Sequence, residues 1–348
     1  MILVSYILPC YNTEKYIDQC ISSLYEQGFE ESEFEVICVN NASQDNLDEN
    51  IKKAKSVHDN IVHIRLTKNV FSGGAYNEGI RASRGKYIVF VDSDDYMKAN
   101  SVRPLIEDMQ LNNLEAIQIN IQPFGFSDNC TASDLDNLNG NGNMKHDINM
   151  ISGVDYLSSQ RTLDDITRFP IPAYRRFYLR DFIVKNDLYF SISTMGCDLL
   201  HTYQAFSLLK KLKIISEKIY MFRYNPSGVT KSGWSIEKVS FLITNMLKSY
   251  DVTSEMKLET SIKDLYLQHI KDLLNMGLNK IDLLTMEDKR KIINGIDLDE
   301  IASKTDTIKL VYKHPSLYLF LYDFFNDNMA SLIVRFYEYA YRQSKRIG

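Results

Sequence analysis

The sequence lacks several features that would fix its class at once. It has no Cys-x-x-Cys pair, which leaves structural zinc little support. It has no apolar run of about 18 residues, so no membrane-spanning helix is expected. It has no Gly-x-Gly-x-x-Gly, so a dinucleotide-binding fingerprint is missing. No internal repeat is present. It also lacks an excess of positive charge. Forty Lys and Arg stand against 45 Asp and Glu, for a net charge of −5, which gives no electrostatic reason to expect a nucleic-acid partner. The start, Met1-Ile-Leu-Val-Ser-Tyr-Ile-Leu-Pro9, has no basic region and no small-residue cleavage site. A cytoplasmic protein is expected, attached if at all to the inner face of a membrane. The five cysteines are an odd number without paired spacing. Cys10, Cys20 and Cys38 lie in apolar patterns and read as buried free thiols in a reducing compartment.

The chain is long enough, at 348 residues, for one large domain and a smaller one. Its first 120 residues alternate strand and helix. Strands are expected at Val4–Leu8, Phe34–Val39, Ile61–Leu66 and Tyr87–Val91. A helix after Asn12 follows the spacing Tyr16, Ile17, Cys20, Ile21 and Leu24, with Asn12 as its cap. A polar helix covers 47–56, and Gly73-Gly74 introduce another that runs to about Ala82. This alternation argues for a parallel α/β sheet. Residues 122–150 are rich in Asn, Gly and Asp and read as a long loop or hairpin. Helical spacing returns after Asp198, and Ile214–Phe222 reads as a strand. From Ser235 onward nearly everything reads as helix, with breaks near Asn279 and His314-Pro315.

The most informative stretch is Lys86-Tyr-Ile-Val-Phe-Val-Asp92-Ser93-Asp94-Asp95. Five apolar residues run straight into three acids. A short apolar run rich in β-branched residues suits a strand buried on both faces. Ligands of such sheets bind just beyond the carboxyl ends of the strands. Acids crowded there repel one another unless a cation or polar ligand joins them. A hard divalent ion with a diphosphate meets that need. Asp and Ser are also ordinary turn and cap residues. The stronger argument is convergence: Pro9-Cys-Tyr11-Asn12, Asn40-Asn41-Ala-Ser43-Gln-Asp45 and the acid cluster each end a strand. Parallel strands bring these ends to one edge.

Individual residues leave alternatives open. Tyr11 could stack on a base or fill a core corner. Asn40 and Asn41 could read a base edge, because an amide both donates and accepts, or could simply form a turn. Asp198, in Met195-Gly-Cys-Asp198, could be a general base or an acid complementing a helix dipole.

Taken in order, Pro9-Cys-Tyr11-Asn12, Val39-Asn-Asn-Ala-Ser43, Asn69, Asn77-Glu-Gly79, Gly85 through Asp95, and Gly196-Cys-Asp198 resemble the family 2 glycosyltransferases. The resemblance covers about residues 3–230. It implies an α/β fold of GT-A type, a nucleotide-sugar-binding mixed sheet flanked by helices, over residues 1–230. A mainly helical domain would follow over 231–348. It implies an inverting transferase moving a hexosyl or N-acetylhexosaminyl group from a nucleotide-diphosphate sugar to a hydroxyl of a glycan or lipid-linked acceptor. By the resemblance, Pro9, Tyr11 and Asn40 lie at the base, and Asn69, Asn77, Ser93 and Arg223 belong to the donor-binding set. Asp92 and Asp94 match the Asp-x-Asp motif that holds Mn²⁺ or Mg²⁺, and Asp198 matches the catalytic base. Three departures stand out. Asn40-Asn41-Ala42 replaces Asp-Asp-Gly, which leaves the family's usual uridine preference open. Tyr76 stands where Arg is frequent, and Cys197 replaces a Glu. These changes motivate an alternative, a silent sugar-nucleotide-binding protein of the same fold. An aspartyl-phosphate phosphotransferase is disfavoured, because Tyr96 follows the acids and the acidic strand is fourth rather than first.

Beyond residue 235 no motif occurs. Aromatic and basic residues mix from Leu317 to Arg346. They suit either a core-packing helical pair or a helix lying on a membrane surface.

Overall fold

The computed structural model describes residues 1–125, 143–169, 171–193, 195–225, 233–285, 287–288 and 291–292. Its contacts divide the chain into two units, Met1–Ser232 with Glu255–Tyr266, and Gly233–Ser254 with Leu267–Gly348.

Among the described residues, the first unit is built on one sheet of nine strands. They are β1 (Val4–Cys10), β2 (Phe34–Asn40), β3 (Ile61–Arg65), β4 (Tyr87–Phe90), β5 (Tyr96–Met97), β6 (Ala116–Phe124), β7 (Ile148–Ile151), β8 (Arg176–Leu179) and β9 (Leu212–Arg223). The order is β3-β2-β1-β4-β8-β6-β9-β5, with β7 also paired to β9. The first four neighbours are parallel. β8 runs antiparallel to both β4 and β6, so the sheet is mixed.

The central strands are buried at nearly every position, as continuous apolar runs require when both faces are covered. Helix α1 (Ile17–Tyr25) buries Ile17, Cys20, Ile21 and Leu24, the i, i+3, i+4, i+7 face. Each such side chain contributes about 1.5–3 kcal/mol on burial. Helix α2 spans Leu47–Lys55, α3 spans Phe71–Ala82 and α4 spans Val102–Asn112. Cys10, Cys20, Cys38 and Cys197 are buried free thiols.

Several local expectations change. Asn12 does not cap α1; it takes a left-handed backbone, φ 54°, and the helix begins at Ile17 with Tyr16 in the cap position. Gly73 and Gly74 lie inside the first turn of α3, not ahead of it. A Cβ on Gly73 would fall 1.9 Å from the carbonyl oxygen of Ser191, so close backbone approach explains that glycine. The stretch 122–150, expected as a long loop or hairpin, holds the end of β6 and most of β7; residues 126–142 lie outside the described residues.

In the second unit, helical residues 236–254 bury Val239, Leu242, Ile243 and Met246. Gly277 lies against Leu242 and Ile243, where a Cβ would meet Leu242 at 3.2 Å. The aromatic-basic stretch from Leu317 to Arg346 and the break at His314-Pro315 lie outside the described residues. Among the described residues, no helix is long and apolar enough to cross a membrane.

Candidate active site

The carboxyl ends of β2, β1 and β4 meet at one edge, as the order of the parallel strands dictates. Their loops are tied together by short polar bonds. The Asn12 N–H donates to Ser43 Oγ at 3.1 Å, and the Gln44 N–H donates to Asn12 Oδ1 at 2.9 Å. The Glu14 N–H donates to Asp45 Oδ2, also at 2.9 Å. Ser93 Oγ donates to the Pro9 carbonyl at 3.0 Å and lies 2.9 Å from Thr13 Oγ1. Tyr11 remains 39% exposed.

The three acids after β4 play unequal parts. Asp95 is buried, and both of its oxygens are engaged. Oδ2 accepts the Tyr220 hydroxyl at 2.7 Å and Oδ1 accepts the Arg223 N–H at 2.7 Å. Asp95 therefore anchors the loop to β9. Asp92 and Asp94 are only partly buried. Asp92 Oδ1 accepts the Tyr76 hydroxyl at 2.6 Å, and Asp94 Oδ2 accepts Asn225 Nδ2 at 3.1 Å. Burial first, then the charges of Asp94 and Asp198, push the Asp92 carboxyl above its ordinary range.

Asp198 reaches this edge from the first turn of the helix Cys197–Leu208, just after Gly196 at φ 76°. Its Oδ1 is buried without a hydrogen-bond partner. Burial raises the carboxyl to about 6, opposed by the Ala173 N–H and by the positive charge of Arg176. Helix α3 braces the segment that leads here. Ser193 O accepts the Gly73 N–H at 3.1 Å and Ser72 Oγ at 3.2 Å.

Four residues expected at the donor turn out to be engaged within the protein. Asn40 is fully buried; its Oδ1 accepts the Ser43 N–H and its Nδ2 donates to Asp48 Oδ1 at 3.0 Å. Its amide shapes the loop. Asn77 is buried and grips the Phe190 backbone, donating to its carbonyl and accepting its N–H, both at 2.8 Å. Ser93 is buried in the loop bonds given above. Arg223 donates Nε to the Asp94 carbonyl at 2.8 Å, bonds Gln19, and lies over the rings of Phe124 and Tyr16 at 4.5 and 4.8 Å. It stiffens the acid loop. Asn69 is exposed, and its Oδ1 accepts Asn41 Nδ2 at 3.0 Å. No motif flags Tyr220, whose hydroxyl holds Asp95. Tyr76 stands out in the sequence only as a missing arginine.

Residues 5–165 match the family described as Glycosyl transferase family 2. This domain belongs to glycosyl transferase family 2. The glycosyltransferase EpsJ of Bacillus subtilis (strain 168), itself uncharacterized, is 29% identical over 230 residues, covering 66% of this chain and 63% of that protein. The poly(ribitol-phosphate) beta-N-acetylglucosaminyltransferase TarS of Staphylococcus aureus (strain MW2) is 25% identical over 327 residues, covering 91% of this chain and 53% of TarS. The chain thus spans between about half and two-thirds of these relatives' lengths. The crystal structure of S. aureus TarS 1–349 in complex with UDP-GlcNAc superposes with a TM-score of 0.64 at 18% identity, over 99% of this chain and 92% of that one. The mannosyltransferase PcManGT from Pyrobaculum calidifontis, in complex with GDP-Man and Mn²⁺, gives 0.51 at 13% identity, over 84% and 79%. The fold is GT-A: a mixed sheet flanked by helices.

In this glycosyltransferase domain Asp92 and Asp94 offer hard oxygen ligands. Among the described residues no three His, Cys, Asp or Glu side chains form a metal cage of their own. An ion of the Mg²⁺ type can be held by one or two carboxylates and completed by substrate phosphates. Burial first, then the charges of Asp94 and Asp198, raise Asp92, and a cation beside it would offset them.

Proposed function

We propose that the chain is an inverting glycosyltransferase. It would move a hexosyl or N-acetylhexosaminyl group from a nucleotide-diphosphate sugar to a hydroxyl of a glycan or lipid-linked acceptor, in the cytoplasm. Residues 1–230 would carry the catalysis and 231–348 would form a separate helical domain. One observation carries this reading: the family 2 glycosyltransferase match over residues 5–165 spans the parallel strand ends where Asp92 and Asp94 stand.

Tyr11, exposed beside Pro9 and within reach of the β2 loop, is the candidate to stack on the base. Asn69 lies on the same rim. A UDP-sugar is the first donor to test, because TarS has been crystallised with UDP and with UDP-GlcNAc. Asp198 would remove the acceptor proton as the hydroxyl attacks the anomeric carbon. Its carboxyl, raised to about 6, is ionised at neutral pH yet more basic than an exposed aspartate. Mn²⁺ or Mg²⁺ held by Asp94 and Asp92 would offset charge on the departing diphosphate.

The test is release of nucleoside diphosphate from UDP- and GDP-sugars in the presence of Mn²⁺ or Mg²⁺. Metal-dependent release from at least one donor is expected. No release above a heat-inactivated control from any donor would contradict the reading.

A further inference from the structure

Tyr76 sits in the middle of α3 and is buried, yet its hydroxyl reaches the acid loop and donates to Asp92 Oδ1 at 2.6 Å. Its ring is held on two sides. The Phe190 ring stacks on it at 4.8 Å with a 29° interplanar angle, and Phe90 meets it edge-on at 5.1 Å. Phe190 is in turn fixed by Asn77, the next residue on α3, through both backbone polar groups. The aromatic ring therefore has little freedom, and the hydroxyl has one direction to point. Asp92 is restrained at one oxygen as a result, and Oδ2 is left for another ligand. The same helix carries Ser72 and Gly73, which brace the segment leading to Asp198.

We infer that Tyr76 is a positioning residue that orients the Asp92 carboxylate for the metal-bound diphosphate; this rests on the reading of Asp92 and Asp94 as metal ligands. A charge-assisted bond to a carboxylate oxygen fixes its rotamer. Hydrogen bonds that orient ligating side chains are worth about 10–100-fold in metal affinity. Tyrosine performs this with a neutral donor, which leaves the net negative charge of the acid pair intact for the cation.

The test is Tyr76→Phe, which keeps the ring and its stacking and removes only the hydroxyl. Mn²⁺ binding is titrated by calorimetry in the presence of UDP, UDP binding is measured separately in EDTA, and metal activation of UDP-sugar cleavage is followed. The inference predicts Mn²⁺ affinity weaker by about 10–100-fold. It also predicts unchanged UDP affinity in EDTA, and activity restored at high Mn²⁺. A purely structural tyrosine would instead alter UDP binding in EDTA and would not be rescued by metal; that result overturns the inference. Wild-type Mn²⁺ affinity in Tyr76→Phe overturns it as well, while leaving the metal-ligand reading standing. Failure of the wild-type protein to bind Mn²⁺ in the presence of UDP overturns both together.

Discussion

The hydroxyl of Tyr220 bridges the acid loop to β9, donating to Asp95 Oδ2 at 2.7 Å and accepting the Asp92 N–H at 3.0 Å. Both bonds are made by a side chain with no exposed surface. Removing the hydroxyl leaves a buried carboxylate oxygen and a backbone donor unsatisfied. Each orphan of this kind costs about 1–3 kcal/mol. Tyr220→Phe should therefore lower stability by about 2–6 kcal/mol in denaturant titration and loosen the acid loop. An unchanged midpoint would show that water replaces the bridge without loss.

A second prediction concerns Asn40. Burial acts to raise the Asp48 carboxyl, but bonds from Asn40, Lys52 and Arg65 outweigh it and hold the group below its ordinary range. Asn40→Asp removes a donor and sets a second carboxylate 3.0 Å from the first. The variant should lose about 1–3 kcal/mol at neutral pH. One carboxyl of the new pair would have its folded pKa raised, so the folded state binds protons more readily than the unfolded chain. Stability should therefore recover as pH falls through that raised value. A variant as stable as wild type at pH 7, or one that weakens further in acid, would contradict this account of the loop.

Asp198 gives a third. Asp198→Asn keeps size and much of the helix-start chemistry, so the unfolding midpoint should hardly move. Loss of a general base costs typically 10²–10⁴-fold, so transfer should fall by at least about a hundredfold while UDP-sugar affinity persists. In the wild type, transfer should decline as pH drops through about 6, where the base becomes protonated. Transfer within a few-fold of wild type would make Asp198 structural.

The same raised carboxyl carries an opposite sign for stability. Its folded pKa, about 6, lies above the ordinary 3.8, so the folded protein takes up the proton first. The resulting stabilisation is full below 3.8 and is lost as pH rises through about 6. Asp92 is shifted in the same direction. The thermal midpoint of protein in EDTA should accordingly fall as pH is raised from 5 to 8, and saturating Mn²⁺ with UDP should reduce that fall. A midpoint that climbs over this range in EDTA would mean other groups dominate.

The parts legible in the sequence are those set by local pattern. The runs at Val4, Phe34 and Tyr87 are continuous and apolar because both sheet faces are covered, and the loops after them are polar because their groups bond one another across the strand ends. The convergence of those loops follows from parallel order alone. What was not legible depends on partners far away in the chain. β6 carries Gln118 and Asn120 at buried positions and β8 begins at the buried Arg176, which masks their strand character. The engagement of Asn40 by Asp48, of Asn77 by Phe190 and of Tyr76 by Asp92 follows from rotamers that spacing does not determine. Asparagine at a strand end looks the same whether its amide faces a base or its own loop.

The account turns on Asp94 as the residue through which a metal ion joins the donor to the protein. The most direct measurement is calorimetric titration of UDP-GlcNAc, and of other nucleotide sugars if that one fails to bind, into wild type and Asp94→Ala, each with Mn²⁺ and with EDTA. The predicted result is tight binding only for wild type with Mn²⁺. Asp94→Ala should bind weakly and equally in both buffers, with a thermal midpoint close to that of metal-free wild type. Wild-type affinity that is the same in Mn²⁺ and EDTA, or metal-dependent binding that survives in Asp94→Ala, would contradict the claim.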